Sequence, residues 1–246
     1  MIAPRPRPDW AIFLDFDGTI VDFAPRPDEV RPAPGLVCVL ASAAQALGRA
    51  LAVVTGRPIA EIDHWLDSSV TAVAGLHGAE RRSAAGRIVP SPRAAPPAGE
   101  AARARARLAA VAGANDGVFF EDKRSAFALH YRGFPAGRSA CEDAVNELES
   151  PAFEVLLGSS VAELRPRGIH KGGAIAAFMA EPPFAGRTPV FVGDDVTDED
   201  GFRTVNAMGG VSVLAGRERP TRARYRLADV GSVVEWLGTV PGAVAA

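Results

Sequence analysis

The sequence predicts an α/β fold in which a smaller α+β block is inserted into a larger, mostly parallel sheet. Short and almost wholly apolar strands alternate with helices near both ends of the chain, the pattern of strands buried on both faces of a parallel sheet. The middle of the chain instead alternates apolar and polar residues with a period of two, which is typical of a sheet covered by helices on one face. The 246 residues suffice for one large domain or two small ones.

The parallel sheet is predicted from apolar runs in the two outer parts of the chain. A first strand is predicted over residues 10–15, a helix over about 35–48 and a second strand over 51–55. A further short strand is expected within 66–73, and residues 189–192 repeat the pattern of a buried strand. Strands and helices that alternate in this order form a single sheet with right-handed crossovers.

The inserted block is predicted from the order of its elements, which is αββαββ. After a Pro- and Ala-rich stretch over 89–99 come a helix to residue 111, strands over 117–123 and 125–132, a helix over 137–150, and strands over 152–157 and 161–165. That order suits an open-faced antiparallel sheet. We therefore place the larger domain at residues 1–84 and 166–246 and the inserted domain at 85–165. The N-terminal APRPRP segment and the Ala-rich tail after Leu237 are expected to be disordered.

Composition argues against several classes of protein. The 27 basic and 29 acidic residues give a net charge of −2, so a general nucleic-acid-binding surface is not expected. The longest apolar stretch, over 36–48, is shorter than the roughly 20 residues of a membrane span, and the first ten residues do not resemble a secretory signal. Cys38 and Cys141 have neither metal-site nor disulfide spacing. We expect a cytoplasmic protein with no nucleic-acid or membrane partner.

Two aspartates follow the first predicted strand, in the segment Asp15-Phe-Asp17-Gly18-Thr19. Ligands of open α/β sheets bind at the carboxyl ends of strands, and carboxylates at i and i+2 point the same way. One carboxylate can then act as a nucleophile and the other as a general acid and base, with Mg²⁺ suppressing their repulsion. The alternative is an ordinary aspartate-rich turn.

A second acidic segment, over residues 193–200, follows the predicted strand at 189–192 and has five acids in eight residues. Thr197 suits a helix N-cap, and the acids after it suit the positive end of a helix dipole. Asp194 and Asp195 precede that cap and are not explained by it. The oxygens of these two carboxylates are ligands that a hard cation prefers, Mg²⁺ in particular.

Two further features suggest phosphate binding. Thr55, Gly56 and Arg57 follow the second predicted strand, where a hydroxyl and backbone amides could hold a phosphoryl oxygen, although such turns are common. Lys171, one of only two lysines in the chain, opens a helix where an acid would be preferred. A bound anion would explain that position, and a solvent-facing lysine is the alternative.

In this order the motifs resemble those of the haloacid dehalogenase superfamily of phosphohydrolases. The segments GLHGAE (75–80), EDK (121–123), ELRPRG (163–168) and FVGDDVTDED (191–200) are more narrowly similar to trehalose-6-phosphate phosphatases. The resemblance implies a Rossmann-like hydrolase core with an inserted α+β cap that determines substrate specificity. Thr55 stands where serine is common and Leu164 where valine is common, and neither change removes a group that the chemistry needs.

The resemblance also implies a role for each catalytic residue. Asp15 would be the nucleophile and Asp17 the general acid and base. Thr55 and Lys171 would bind the transferring phosphoryl group. The Mg²⁺ ligands would be Asp15, the backbone carbonyl of Asp17, Asp194 and, at the edge of the shell, Asp198.

The sugar would be held mainly by the inserted domain. Alternation places Glu121, Lys123, Arg132 and Glu163 on one face of its sheet, which could equally be a polar face turned to solvent. The resemblance assigns Glu121, Lys123 and Glu163 to the distal glucose, with Arg132 nearby. Expected substrate-binding residues are thus Arg57, His77, Glu121, Lys123, Arg132 and Glu163, although a histidine in such a Gly-flanked turn can also be purely structural.

The expected activity is Mg²⁺-dependent hydrolysis of trehalose 6-phosphate through an aspartyl-phosphate, the last step of trehalose biosynthesis. Alternatives are a phosphatase for sucrose 6-phosphate or a mannosyl phosphate, and a non-catalytic regulatory domain. The expected partner is a small sugar phosphate. The sequence does not decide whether a trehalose-phosphate synthase is a protein partner. We expect the protein to be a monomer.

Overall fold

The computed structural model describes residues 1–24, 26–91, 94–158 and 160–244. The chain forms two compact units, which we name the core unit (Met1–Val89 with His170–Ala246) and the inserted unit (Pro90–Ile169). The boundaries proposed from the sequence, at 85 and 165, lie slightly before these. Residues 92 and 93 of the Pro- and Ala-rich stretch and 245–246 of the tail lie outside the described residues.

The described residues form twelve strands and eight α-helices. The strands are β1 (Trp10–Leu14), β2 (Leu51–Val54), β3 (Ala72–Gly75), β4 (Glu80–Arg82), β5 (Ile88–Pro90), β6 (Phe119–Asp122), β7 (Phe127–His130), β8 (Phe153–Gly158), β9 (Val161–Pro166), β10 (Thr188–Gly193), β11 (Val211–Ala215) and β12 (Tyr225–Leu227). The helices are α1 (Leu36–Ala46), α2 (Ile59–Trp65), α3 (Ala98–Ala114), α4 (Arg138–Asn146), α5 (Lys171–Met179), α6 (Glu199–Ala207), α7 (Val230–Gly238) and α8 (Val240–Val244). None of these helices is both long and apolar enough to cross a membrane.

The core unit contains a sheet with the strand order β12-β11-β10-β1-β2-β3-β4-β5, and the strands from β12 to β3 are parallel. Every residue of β1 and β2 is buried, which explains why these strands are apolar without alternation. Leu14 is in register with Val192 of β10 and with Val53 of β2. The carboxyl ends of three neighbouring strands are therefore level, and the segments that follow them emerge side by side. The predicted α/β fold with its mostly parallel sheet is confirmed.

The hairpin of β4 and β5 at one edge of this sheet was not predicted. Its first strand, Glu80–Arg82, has only charged side chains and so lacks the residues that favour strands. It pairs antiparallel with β3, and the guanidinium of Arg82 donates to both carboxylate oxygens of Asp63 at 2.6 and 2.7 Å. Pairing at the sheet edge and a bidentate ion pair thus stabilise this strand in place of apolar side chains.

The prediction of disordered ends is wrong for the described residues. Ile2 forms a parallel bridge with Arg226, and the indole Nε1 of Trp236 donates to the carbonyl of Pro4 at 2.8 Å. After Leu237 the tail continues into α8. The indole N–H of Trp236 and the outer strand β12 provide hydrogen-bond partners for the N-terminal segment, and composition alone does not reveal them.

The inserted unit is an antiparallel sheet of order β6-β7-β9-β8 with its own apolar core. Its core side chains come from α3 and α4 and from one face of the sheet, among them Leu108, Cys141, Val145, Phe127, Leu129 and Leu164. The alternate residues of the strands, including Glu121, His130 and Glu163, lie on the opposite face. The αββαββ prediction thus matches the observed order of elements.

Candidate active site

The candidate active site lies at the carboxyl ends of β1, β2 and β10 in the core unit. Asp15 follows β1 directly, Thr55 follows β2 and Asp194 follows β10. Because these strand ends are level, side chains far apart in sequence come together: the Thr19 hydroxyl, for example, donates to Asp194 Oδ1 at 3.1 Å. Lys171, the first residue of α5, reaches the same place.

Lys171 is a buried cation between two carboxylates. Its Nζ lies 2.8 Å from Asp15 Oδ1 and 2.7 Å from Asp198 Oδ1, and its side chain is 2% exposed. Burial alone would lower the pKa of Lys171, but the charges of Asp15 and Asp198 outweigh it and raise that pKa above its usual value. The ammonium therefore stays charged, and the solvent-facing alternative for Lys171 is wrong.

Three carboxylates form a group that could hold a metal ion. Asp15, Asp194 and Asp198 each offer an oxygen, and these oxygens lie within 4.8 Å of one another. Burial and then the charge of Asp198 raise the pKa of Asp15 to about 7, and burial with the charges of Asp198 and Asp15 raises the pKa of Asp194 well above its usual value. Lys171 alone does not balance three acids. A hard divalent cation with oxygen ligands fits this donor set.

Asp198 positions the loop that carries Asp194. One of its oxygens accepts from Lys171, and the other accepts from the backbone N–H groups of Asp194 and Asp195 at 2.9 and 3.0 Å. The N-cap of the following short 3₁₀ helix is Asp195, whose carboxylate accepts from Val196 N. The expectation that Thr197 caps this helix is wrong, because the chain begins to turn two residues earlier.

The carboxylate of Asp17 is bound by the guanidinium of Arg57. The guanidinium donates from Nε to Asp17 Oδ2 at 2.7 Å and from Nη2 to Oδ1 at 2.8 Å. Nη1 of the same group donates to Glu61 at 2.8 Å. Only the backbone of Asp17 was expected to contact a metal ion, and the engagement of its side chain by Arg57 is consistent with that. Arg57, which is expected to bind substrate, contacts a catalytic candidate in this structure.

Thr55 lies at the start of a tight turn. Its hydroxyl is buried and accepts from the backbone N–H of Arg57 at 3.1 Å, and its carbonyl accepts from His77 N at 2.8 Å. His77 has a positive φ of 57° and packs against this turn, since a Cβ at Gly56 would lie 2.9 Å from its ring. The segment that contains His77 thus supports the turn at Thr55.

Glu80 stabilises the same turn at its C-terminal end. This role was not predicted from the sequence. Its Oε1 accepts from Ile59 N, the first N–H of α2, at 2.6 Å. An acid at a helix N-terminus is favoured by the helix dipole. The turn over residues 55–58 is therefore fixed at both ends by neighbouring chain segments.

In the inserted unit a charged cluster lies on the sheet face opposite the helices. Lys123 Nζ lies 3.1 Å from Glu163 Oε2 and 3.7 Å from Glu121 Oε2. His130, absent from the predicted site, lies 2.7 Å from the same oxygen of Glu121. Lys123 and Glu163 are 8% and 4% exposed, so these residues do not form a solvated face. Arg132 lies in the turn after β7.

This cluster perturbs Glu121 in a definite direction. Burial alone would raise the pKa of Glu121, but the charge of Lys123 and the hydrogen bond with His130 outweigh it and lower the pKa below its usual value. Glu121 is therefore an ionised acceptor. Together the cluster offers carboxylate acceptors and ammonium and imidazole donors, the complement of a ligand covered in hydroxyl groups.

The sequence profile of the trehalose-phosphatase family matches residues 13–231 of the chain. A probable trehalose-phosphate phosphatase of Sinorhizobium fredii is 40% identical over 240 residues, which cover 96% of this chain and 84% of that protein. The trehalose-6-phosphate phosphatase of Escherichia coli is 40% identical over 246 residues, covering 98% of this chain and 90% of that protein.

Solved structures share the fold. The C-terminal domain of the C. albicans trehalose-6-phosphate phosphatase aligns with a TM-score of 0.84 at 21% identity, covering 96% of this chain and 93% of that one. A subclass IIB sugar phosphatase of the haloacid dehalogenase superfamily aligns with a TM-score of 0.62 at 17% identity, covering 95% of this chain and 98% of that one. At these identities the similarity concerns the fold alone.

Proposed function

The chain belongs to the trehalose-phosphatase family of phosphoric monoester hydrolases, and we propose that it hydrolyses trehalose 6-phosphate to trehalose and inorganic phosphate. The observation that carries this proposal is the contact of Asp15 with Lys171 beside Asp194 and Asp198, within the part of the chain that matches the family. A buried carboxylate beside a buried cation is suited to attack on a phosphate ester.

In the first step a carboxylate oxygen of Asp15 attacks phosphorus. A bond forms between that oxygen and phosphorus while the bond from phosphorus to the sugar oxygen breaks, and the sugar oxygen takes a proton from Asp17. In the second step Asp17 removes a proton from water, whose oxygen attacks the aspartyl-phosphate. Inorganic phosphate leaves and the Asp15 carboxylate is regenerated, so one water is consumed for each ester cleaved.

Lys171 and Thr55 would stabilise the transferring phosphoryl group. An ammonium has three N–H donors, and two of those of Lys171 are directed to Asp15 and Asp198, which leaves one for a phosphoryl oxygen. Mg²⁺ held by Asp15, Asp194, the backbone carbonyl of Asp17 and, at its edge, Asp198 would offset the negative charge of the nucleophile and the phosphoryl group. The donor set of the three acids supports this choice of metal.

The sugar part of the substrate would be recognised by the charged cluster of the inserted unit. We assign hydroxyl binding to Glu121, Lys123 and Glu163, with Arg132 and His77 as further candidates. Buried charged acceptors and donors give strong discrimination, because a ligand that fails to pair with them leaves them unsatisfied. Specificity for a disaccharide phosphate over a small phosphate ester would then depend on this cluster.

The test is a comparison of kcat/KM for phosphate release from trehalose 6-phosphate, sucrose 6-phosphate, glucose 6-phosphate and an aryl phosphate, each with and without Mg²⁺. We expect a strong preference for trehalose 6-phosphate that is lost without the metal. Preference for another sugar phosphate would keep the phosphatase chemistry and contradict the substrate. Absence of activity on every ester would indicate a regulatory domain.

A further inference from the structure

Arg219, in the loop after β11, binds the backbone of the loop that carries Asp194. Its Nε donates to the carbonyl of Asp194 at 3.0 Å, and its Nη2 donates to the carbonyl of Asp195 at 2.6 Å. The remaining nitrogen, Nη1, donates to Glu199 Oε1 at 2.6 Å and to the carbonyl of Pro220 at 2.9 Å. One guanidinium thus joins two consecutive carbonyls to an acid of α6.

The topology of the sheet places this arginine beside the acidic loop. β10 and β11 are parallel neighbours with Gly193 in register with Leu214, so the segments that follow them run side by side. Glu199, in the first turn of α6, also accepts from the hydroxyl of Thr221 and the backbone N–H of Arg222 at 2.7 and 2.8 Å. The loop after β11 is therefore attached to the start of α6 at several points.

The backbone of residues 194 and 195 is consequently held from two sides. Asp198 accepts from both of its N–H groups, while Arg219 donates to both of its carbonyls. Only the Cβ methylene separates the carboxylate of an aspartate from its backbone. The position of the backbone therefore determines where the carboxylate of Asp194 can reach. Hydrogen-bonded groups behind metal ligands commonly change metal affinity by about 10- to 100-fold.

We propose that Arg219 is a positioning residue for the metal site: it fixes the backbone of Asp194 and Asp195 so that the Asp194 carboxylate meets those of Asp15 and Asp198. The proposal rests on the metal role of Asp194 in the proposed function. Within the described residues, the hydrogen bonds of Arg219 to this loop go to the peptide carbonyls of Asp194 and Asp195 and not to the carboxylates, so it acts through the peptide groups.

Electrostatics alone predicts the opposite effect of Arg219 on Mg²⁺ affinity, so the direction of the measured change tests the proposal. Removal of the guanidinium removes a positive charge near the acids and leaves the carboxylate of Glu199 without that partner. Both changes would strengthen the binding of a cation. Loss of positioning would weaken it. The direction of the change in Mg²⁺ affinity therefore separates the two effects.

The experiment is a calorimetric titration of Mg²⁺ into the intact protein without substrate, for the wild type, Arg219→Gln and Arg187→Gln. Arg187 is the matched control, because its guanidinium donates to the carbonyls of Pro183, Pro8 and Trp10 without contacting the acidic loop. We expect Arg219→Gln to raise the Kd for Mg²⁺ by about 10-fold or more. Arg187→Gln should change it less than about twofold.

Arg219→Lys is a second variant that keeps the charge and loses the paired donors. We expect an intermediate rise in Kd, and this variant carries the test if Arg219→Gln does not fold. The proposal is overturned if the folded Arg219 variants bind Mg²⁺ as tightly as the wild type or more tightly, or if Arg187→Gln weakens binding equally. Failure of the wild type itself to bind Mg²⁺ would instead overturn the metal role of Asp194 and, with it, this proposal.

Discussion

The carboxylate of Asp17 is held by the guanidinium of Arg57 through two hydrogen bonds of 2.7 and 2.8 Å. Asp15, two residues earlier, is buried against Lys171 at 2.8 Å. Two aspartates of one short motif thus have different partners and different environments. The contact with Arg57 fixes the orientation of the Asp17 carboxylate, and the contact with Lys171 fixes that of Asp15.

This pairing predicts that Arg57→Ala lowers kcat more than it raises KM. Without the guanidinium, Asp17 loses both bonds that orient it, and we expect kcat to fall by about 100-fold, within the usual contribution of a general acid and base. Glu61→Gln is the control, because it changes the other partner of Arg57 and leaves the bonds to Asp17 in place. Steady-state kinetics on trehalose 6-phosphate measures both constants.

A rise in KM at constant kcat would instead mean that Arg57 mainly binds substrate. Equal effects of Arg57→Ala and Glu61→Gln would contradict an orienting role for the contact with Asp17.

The three-acid group predicts that Mg²⁺ stabilises the protein against heat. Burial and then the charge of Asp198 raise the pKa values of Asp15 and Asp194, so the ionised forms of both are disfavoured in the fold, and a bound cation would stabilise them. At a concentration 100 times its Kd, the ion should raise the free energy of unfolding by about 2.7 kcal/mol. Thermal unfolding with Mg²⁺ and with EDTA measures this effect.

Asp194→Asn is the matched variant for this effect. It removes one of the like charges, so the metal-free variant should unfold at the same or a higher temperature than the metal-free wild type, while the Mg²⁺ shift should disappear. A full Mg²⁺ shift in this variant would show that the ion binds elsewhere.

The charged cluster predicts a change of substrate preference in Glu163→Gln. Loss of the carboxylate should reduce kcat/KM for trehalose 6-phosphate by about 10- to 100-fold, the usual value of a hydrogen bond to a charged group. Hydrolysis of an aryl phosphate should change little. Glu154→Gln, which removes the acid paired with Arg165 on the neighbouring strand, controls for loss of charge in the same sheet. Equal losses on both substrates would remove the sugar-binding role of Glu163.

The two cysteines are predicted to differ in reactivity. Cys38 is exposed, whereas Cys141 is buried in the inserted unit, where burial and then the charge of Glu142 raise the pKa of its thiol to about 11. At pH 8 about one Cys141 thiol in 1,000 is ionised. Titration with Ellman's reagent should show one fast thiol, absent in Cys38→Ser, and a second that reacts on unfolding. Two fast thiols would contradict the packing of α4.

Much of the fold could be predicted because its central strands are unambiguous. Strand β1 was predicted over residues 10–15 and is observed at Trp10–Leu14, and β2 was predicted over 51–55 and is observed at Leu51–Val54. Fully apolar strands between helices allow few other arrangements. The hairpin of β4 and β5 was missed because an ion pair and edge pairing, rather than hydrophobicity, support it.

The residues of the candidate site could be predicted from the sequence, but many of their contacts could not. Asp15, Lys171 and Asp194 follow from the order of the motifs, yet that order does not show that Asp198 holds the backbone of its own loop. Arg219 could not be found at all, since it is one of 25 arginines and lies outside every motif. Its contacts depend on the neighbouring positions of β10 and β11, which only the folded sheet determines.

The most direct test of the proposed chemistry is the turnover of trehalose 6-phosphate by Asp15→Asn, measured beside its thermal unfolding. Because burial already disfavours the charged form of Asp15, a neutral amide should be accommodated and the variant should remain folded. We predict that kcat falls by at least about 1,000-fold, since an amide cannot form the aspartyl-phosphate. A folded Asp15→Asn variant with turnover close to that of the wild type would contradict the account.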